Sequence, residues 1–226
     1  MLQGAFICAA ILVCVNVAVG LEVTFATPDG GVVHADLYGE SGRHGIVLAH
    51  GGLADKGDWA PQAEQLAAAG YLVLAIDFRG YGDSRGGGMS RSLYLGGRYF
   101  DVLGGIQYLL SQEVQIVSVI GSRMGAAVVA YATTKVDDPA AIGSVILLAP
   151  PPLLNPEDVP GKKLVLVSLP DRLEDSIRRQ FAEFPSPKKL VVIDPPNPDP
   201  AVQSRETQVL EEILSCLASA DPSATP

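Results

Sequence analysis

Histidine and cysteine are scarce in this chain, with three of each among 226 residues. Cys8 and Cys14 fall in an apolar N-terminal run, which leaves Cys216 alone in the remainder. That excludes an intrachain disulfide framework, and no metal-ligand spacing exists. No motif calls for a cofactor. Basic runs are missing too: 16 Lys and Arg stand against 25 Asp and Glu, a formal charge of −9. A nucleic-acid partner is therefore excluded. Acidity of this size bears on solubility and says little about substrate. There are no internal repeats and no sign of a second domain. With 48% apolar and 18% charged residues the chain is globular and able to bury a substantial core.

Charge is wholly absent from Met1 to Gly20. The run Ala5 to Val19 is apolar but for Asn16 and ends in Ala18-Val19-Gly20, whose small outer residues suit signal-peptidase cleavage. It lacks a basic leader and is short for a spanning helix, which needs about 17 residues. Residues 1–20 are thus expected to be a signal peptide or, alternatively, an N-terminal anchor. The first reading implies a secreted or periplasmic protein, and membrane association follows only from the second. Residues 21–220 form the expected domain and 221–226 a loose tail.

Eight strands and the helices between them can be read along that domain. Val23–Pro28 and Val32–Tyr38 are strands joined at Asp29-Gly30-Gly31. Gly45–Ala49, Tyr71–Ile76, Val114–Ile120, Ser144–Ala149, Leu164–Ser168 and Leu190–Ile193 are short apolar runs, as expected of strands buried on both faces. Helices are predicted over Trp59–Ala69, Tyr94–Leu110, Met124–Thr133, Leu173–Phe184 and Ala201–Leu217. The glycines at 96, 97, 104 and 105 either weaken the second helix or mark close packing on the sheet. Alternating strands and helices imply a mainly parallel sheet covered on both faces, with an antiparallel edge from the first two strands. The link from Pro150 to Gly161 is too short for a lid domain.

Three segments, in order, resemble the α/β-hydrolase superfamily of esterases, lipases and serine peptidases. His50-Gly51-Gly52 follows a core strand, as in that family's oxyanion loop. Residues 77–84, Asp-Phe-Arg-Gly-Tyr-Gly-Asp-Ser, look like the turn after its next strand. Gly121-Ser122-Arg123-Met124-Gly125 sits between strand and helix, where the family places its G-x-S-x-G nucleophile elbow. The resemblance implies the α/β-hydrolase fold, with backbone oxyanion donors at Gly52 and Met124.

It also exposes two departures. The elbow is a strained turn that needs small residues two before and two after the nucleophile. Gly121 and Gly125 meet that need only if residue 123 is the apex, and residue 123 is Arg. With Ser122 at the apex, Ile120 and Met124 would occupy the cramped positions. An arginine is a cation at ordinary pH and accepts no acyl group. The family's catalytic histidine belongs in the loop after the last strand, and residues 194–200 contain none. Its acid position is matched by Asp171, with Asp175 as the fallback.

Three functions stay open on these residues. The leading one is a degenerate, non-hydrolytic member whose former cleft binds a partner or a small ligand, with Arg123 suited to an anion. The second is an active carboxylic-ester hydrolase using Ser122 in a distorted elbow, with His50 as its base. The third is a structural or interaction protein with a filled cleft. Trp59 and Tyr81 could line a pocket or cap the core. Arg79 is expected to pair locally with Asp77 or Asp83, Ser84 to serve the turn, and Lys188 and Lys189 to be solvated.

Overall fold

The computed structural model describes residues 20–87, 95–168, 172–193 and 207–220. The strands are β1 (Leu21–Ala26), β2 (Gly31–Tyr38), β3 (His44–Ala49), β4 (Leu72–Ile76), β5 (Arg85–Gly86), β6 (Ile116–Ser122), β7 (Ile142–Leu148), β8 (Lys162–Ser168) and β9 (Lys188–Ile193). The helices are α1 (Ala60–Ala68), α2 (Tyr99–Leu110), α3 (Met124–Thr133), α4 (Glu174–Glu183) and α5 (Thr207–Ala218). They build one sheet in the order β1-β2-β4-β3-β6-β7-β8-β9, with β5 paired to β2. From β4 through β9 all neighbours are parallel, while β2 runs antiparallel to β1, β4 and β5.

The continuous apolar runs are explained by two cores, one on each face of the sheet. Side chains alternate across a strand. Thus Val47 and Ala49 of β3 join the core shared with α2 and α3, and Ile46 and Leu48 join the core shared with α1 and α5. The same alternation runs through β4, β7 and β8, and Ile177 brings α4 to the first face. The glycines within α2 belong to this packing. A Cβ on Gly104 would stand 3.0 Å from the Phe25 ring and 3.2 Å from the Ala26 carbonyl.

Several expectations need correction. The sheet has nine strands rather than eight, because the two-residue β5 pairs with Gly31 and Val32. A strand that short carries no periodicity to read. Helix α2 begins at Tyr99 and not Tyr94, since Gly96 and Gly97 adopt positive φ (55° and 82°), which a helix does not accommodate. Trp59 closes a 3-10 turn ahead of α1 and is buried in the second core, so it caps the core. The connection from Ala149 to Gly161 holds only the 3-10 turn Pro156–Asp158. Residues 1–19, the tail 221–226 and the start of the last expected helix (201–206) lie outside the described residues. Among the described residues no helix is long and apolar enough to cross a membrane.

Candidate functional site

Strand register brings the three motifs together. Ala49 of β3 pairs with Ile76 of β4 on one side and with Gly121 of β6 on the other. The segments after these strands therefore leave the sheet side by side at its C-terminal edge. They are the loop starting at His50, the turn starting at Asp77 and the turn through Arg123. In open α/β sheets this edge is where ligands bind.

The strand-to-helix turn has its apex at residue 123. Arg123 adopts φ 50° and ψ −114°, a conformation rare for a side-chain-bearing residue and strained by about 1–3 kcal/mol. Its neighbours hold it there. The Arg123 amide donates to the Leu148 carbonyl at 2.8 Å, and its own carbonyl accepts from Ala126 at 3.0 Å to begin α3. A Cβ on Gly121 would lie 2.5 Å from the carbonyl carbon and oxygen of Gly125. One on Gly125 would lie 2.4 Å from the Ala49 oxygen and 2.5 Å from that of His50. Both positions exclude any side chain, so this backbone has a single register. The Arg123 side chain is exposed, whereas Ser122, the last residue of β6, is buried.

The glycine loop lies against this turn. A Cβ on Gly51 would come within 3.6 Å of Ser122 Oγ and 3.9 Å of Arg123 Cβ, and one on Gly52 within 3.8 Å of Met124 Sδ. Met124 opens α3, and the first amides of a helix have no partner within it. Gly52 is fixed from behind by Tyr81, whose hydroxyl donates to the Gly52 carbonyl at 2.8 Å. Tyr81 thus serves the loop's geometry, a role that no sequence signal marked.

His50 is spent on the backbone. Its Nδ1–H donates to the Gly51 carbonyl at 2.7 Å, and Nε2 accepts from the Phe78 amide at 3.2 Å. Those partners assign the neutral Nδ1–H tautomer. Burial pushes its pKa down, outweighing the backbone bond and the Asp77 carboxylate that oppose the shift. Phe78 and Tyr81 pack edge-on to its ring. Asp77 Oδ1 stands 4.0 Å from Nε2, beyond hydrogen-bonding distance, and accepts from the Lys56 amide at 2.8 Å instead. Burial raises the Asp77 pKa.

The local pairing expected for Arg79 is overturned. Its guanidinium holds Asp29 through two bonds (2.7 and 2.9 Å) and Asp101 through two more (2.9 and 2.8 Å). A half-buried triad, of which only Asp101 is fully covered, therefore ties the β1–β2 turn to the start of α2, and the Asp77 turn is anchored to both. The Arg79 bonds pull Asp29 down to about pKa 2, and burial pushes Asp101 up despite the same cation. Asp83 pairs with Arg85 at the surface. Ser84 Oγ accepts from the His34 amide at 2.8 Å, a turn contact as expected. Lys188 is not simply solvated. Its ammonium donates to the carbonyls of Phe181 and Ala182 and caps the end of α4. Lys189 pairs with Glu212.

Asp171 and the histidine-free segment 194–200 lie outside the described residues, so no geometry is drawn for them. The fallback Asp175 sits in the first turn of α4. A cavity of about 250 Å³ opens beside the turn, lined by Leu95, Met124, Ala127 and Pro151. Among the described residues its walls come from three separate segments, and sequence reading identified only Met124 among them, for its amide.

Parallel sheet, two helical layers and a strained glycine-flanked turn beside a glycine loop together define an α/β-hydrolase domain. More narrowly, residues 40–213 match the serine aminopeptidase S33 family, and the chain belongs to it. Solved structures agree on the fold. An esterase of Pyrococcus furiosus is 18% identical with a TM-score of 0.74, over 88% of this chain and 92% of that one. An α/β hydrolase of Penicillium sp. sh18 is 14% identical with a TM-score of 0.73, over 88% and 98%. An esterase of Exiguobacterium antarcticum is 13% identical with a TM-score of 0.69, over 87% and 99%.

Proposed function

We propose that this chain is a non-hydrolytic member of its family, a pseudoenzyme that binds a small anionic molecule at the strained turn. One observation carries the reading: the residue at the apex, where the family's elbow presents its nucleophile, is Arg123. A guanidinium accepts no acyl group and loses no proton at ordinary pH. Every histidine in the chain precedes residue 51, so the residues after β9 supply no histidine as general base. Without a base, a serine at the apex would itself be a poor nucleophile. Donors that stabilise an oxyanion in an active hydrolase, here the amides of Gly52 and Met124, suit a resident anion once a cation stands beside them.

The competing hydrolase reading, through Ser122, finds less support. It needs a histidine within hydrogen-bonding reach of Ser122 Oγ, and both ring nitrogens of His50 are held by backbone groups. A filled cleft, as an interaction protein would have, sits poorly with the cavity beside Met124.

The test is intact-mass analysis after incubation with a fluorophosphonate, run beside calorimetric titration with inorganic phosphate. No adduct is expected, and phosphate binding is expected to disappear in Arg123→Ala. A stoichiometric adduct lost in Ser122→Ala would overturn the proposal and make Ser122 the nucleophile.

A further inference from the structure

A second cavity, of about 280 Å³, opens away from the strained turn. Helix α3 separates the two. It starts at Met124, and its ten residues carry the chain about 15 Å before Lys135 and Val136 reach the cavity wall. Leu103, Ile106 and Leu110 recur at the spacing of one helix face and form the α2 wall. Val136 and Ile142 bound the other side, from the connection between α3 and β7. All of these residues belong to the continuously described segment 95–168. Leu110 stays 37% exposed, so the hollow keeps apolar surface in water that an apolar guest would cover.

The rim offers a charge of each sign. Lys135 and Asp137 both line the cavity, both are exposed, and neither forms an ion pair with any described residue. The Lys135 ammonium lies 5.0 Å from the centre of the Tyr131 ring, a contact that leaves N–H groups for an acceptor. Asp138, beside Asp137, is already engaged: its carboxylate accepts from the Ala140 amide at 2.9 Å and caps the 3-10 turn Pro139–Ala141. Asp137 is thus the carboxylate left for a ligand. We propose that this cavity binds a free α-amino acid with a large apolar side chain. The side chain packs against α2, the α-ammonium meets Asp137 and the α-carboxylate meets Lys135. A zwitterion with an apolar body matches opposite charges set beside an apolar wall. The space suits phenylalanine. At ~30 Å³ for a group the size of water, the cavity holds about nine such groups, and the phenylalanine side chain has seven carbons.

The experiment is NMR titration of the full chain with L-phenylalanine, glycine, phenethylamine and 3-phenylpropionate. The last three lack, in turn, the side chain, the carboxylate and the ammonium. Phenylalanine should bind best, and glycine should show no saturable binding. Exposed charge pairs are weak, so phenethylamine and 3-phenylpropionate should each bind about two- to fivefold less tightly. Asp137→Asn should cost phenylalanine the same factor without weakening 3-phenylpropionate, and Lys135→Gln should do so without weakening phenethylamine. Val136→Trp fills the cavity from a partly exposed position and should abolish binding. Should this variant fail to fold, Leu110→Trp fills the same space from the end of α2. Arg123→Ala should leave the whole series unchanged, which separates this site from the turn. If either analogue binds as tightly as phenylalanine, the pairing of that head group is overturned. If glycine does, the apolar wall plays no part. If the folded tryptophan variants keep their affinity, or no probe binds the folded chain, the site itself is overturned.

Discussion

Substituting Gly125 by alanine tests the register on which the functional reading depends. The added Cβ would stand 2.4 Å from the Ala49 oxygen and 2.5 Å from the His50 oxygen, where real Cβ contacts essentially never come closer than 3.0 Å. Both oxygens belong to the chain leaving β3, which is bonded on one side to β4 and on the other to β6. The obstacle is therefore backbone fixed within a sheet, with no flexible side-chain end to give way. Overpacking a core typically costs about 1–3 kcal/mol, and this geometry falls at or above the upper end, about 3 kcal/mol. Against a total stability of roughly 5–15 kcal/mol that is a large share. Ser122→Ala is the comparison. It removes one buried hydroxyl and should cost no more than about 1.5 kcal/mol. Urea unfolding monitored by Trp59 fluorescence provides the assay, because the chain's one tryptophan is buried in the core. If Gly125→Ala lies within about 1 kcal/mol of wild type, the turn does not hold residue 123 at its apex. Arg123 would then no longer stand in the nucleophile's place.

Three further outcomes are expected. Arg123→Gly should raise stability by about 1 kcal/mol in the same unfolding assay. Strain of about 1–3 kcal/mol is relieved, and glycine's greater freedom in the unfolded chain returns about 0.5–1 kcal/mol of it. Arg123→Ser should gain no fluorophosphonate adduct by intact mass, since a serine restored at the apex still has no histidine beyond residue 50 to deprotonate it. The third outcome concerns acid. Asp29, held near pKa 2 chiefly by the Arg79 bonds, is depressed below its ordinary value near 3.8. Its stabilisation is therefore present above about pH 4 and lost as the pH falls towards 2. Asp29→Asn should remove about 1 kcal/mol at pH 7, a figure discounted for solvent screening. It should also flatten the stability curve between pH 4 and 2, measured by urea unfolding at stepped pH.

What could be read from the chain alone depended on how local its cause was. The buried strands announced themselves because a strand covered on both faces must be apolar at every position, as Ile46 to Ala49 are. The register of the elbow was legible because Gly121 and Gly125 answer to a steric demand carried within five residues. Partners brought in by topology left no such trace. Arg79 has Asp77 and Asp83 close by in sequence, yet it bonds Asp29 and Asp101, which are 50 and 22 residues away. His50 looks like a spare base until the Phe78 amide is seen to occupy Nε2 from 28 residues further along. The cavity is in the same class, since Leu95, Ala127 and Pro151 become neighbours only when α3 packs between two separate connections.

The strain at residue 123 does not by itself argue for function. Gly121, Gly125 and the Leu148 carbonyl over-determine the turn, so any residue placed there inherits the conformation. A sequence freed from catalysis would lower its energy most simply with glycine or asparagine, which tolerate positive φ better than a long side chain does. Arginine offers no such relief. It adds a permanent charge at the turn, in a chain whose net charge of −9 repels anions at long range. On the anion-binding proposal, attraction at this point must therefore come from short-range groups, for which Arg123 and the amides of Gly52 and Met124 are the candidates. Binding there should consequently weaken little with added sodium chloride until chloride itself competes for the site. Association steered by a field over the whole surface would decline steeply from low ionic strength onward. A titration with inorganic phosphate at 20, 150 and 500 mM salt separates the two cases, and a steep decline already between the first two would refute the short-range account.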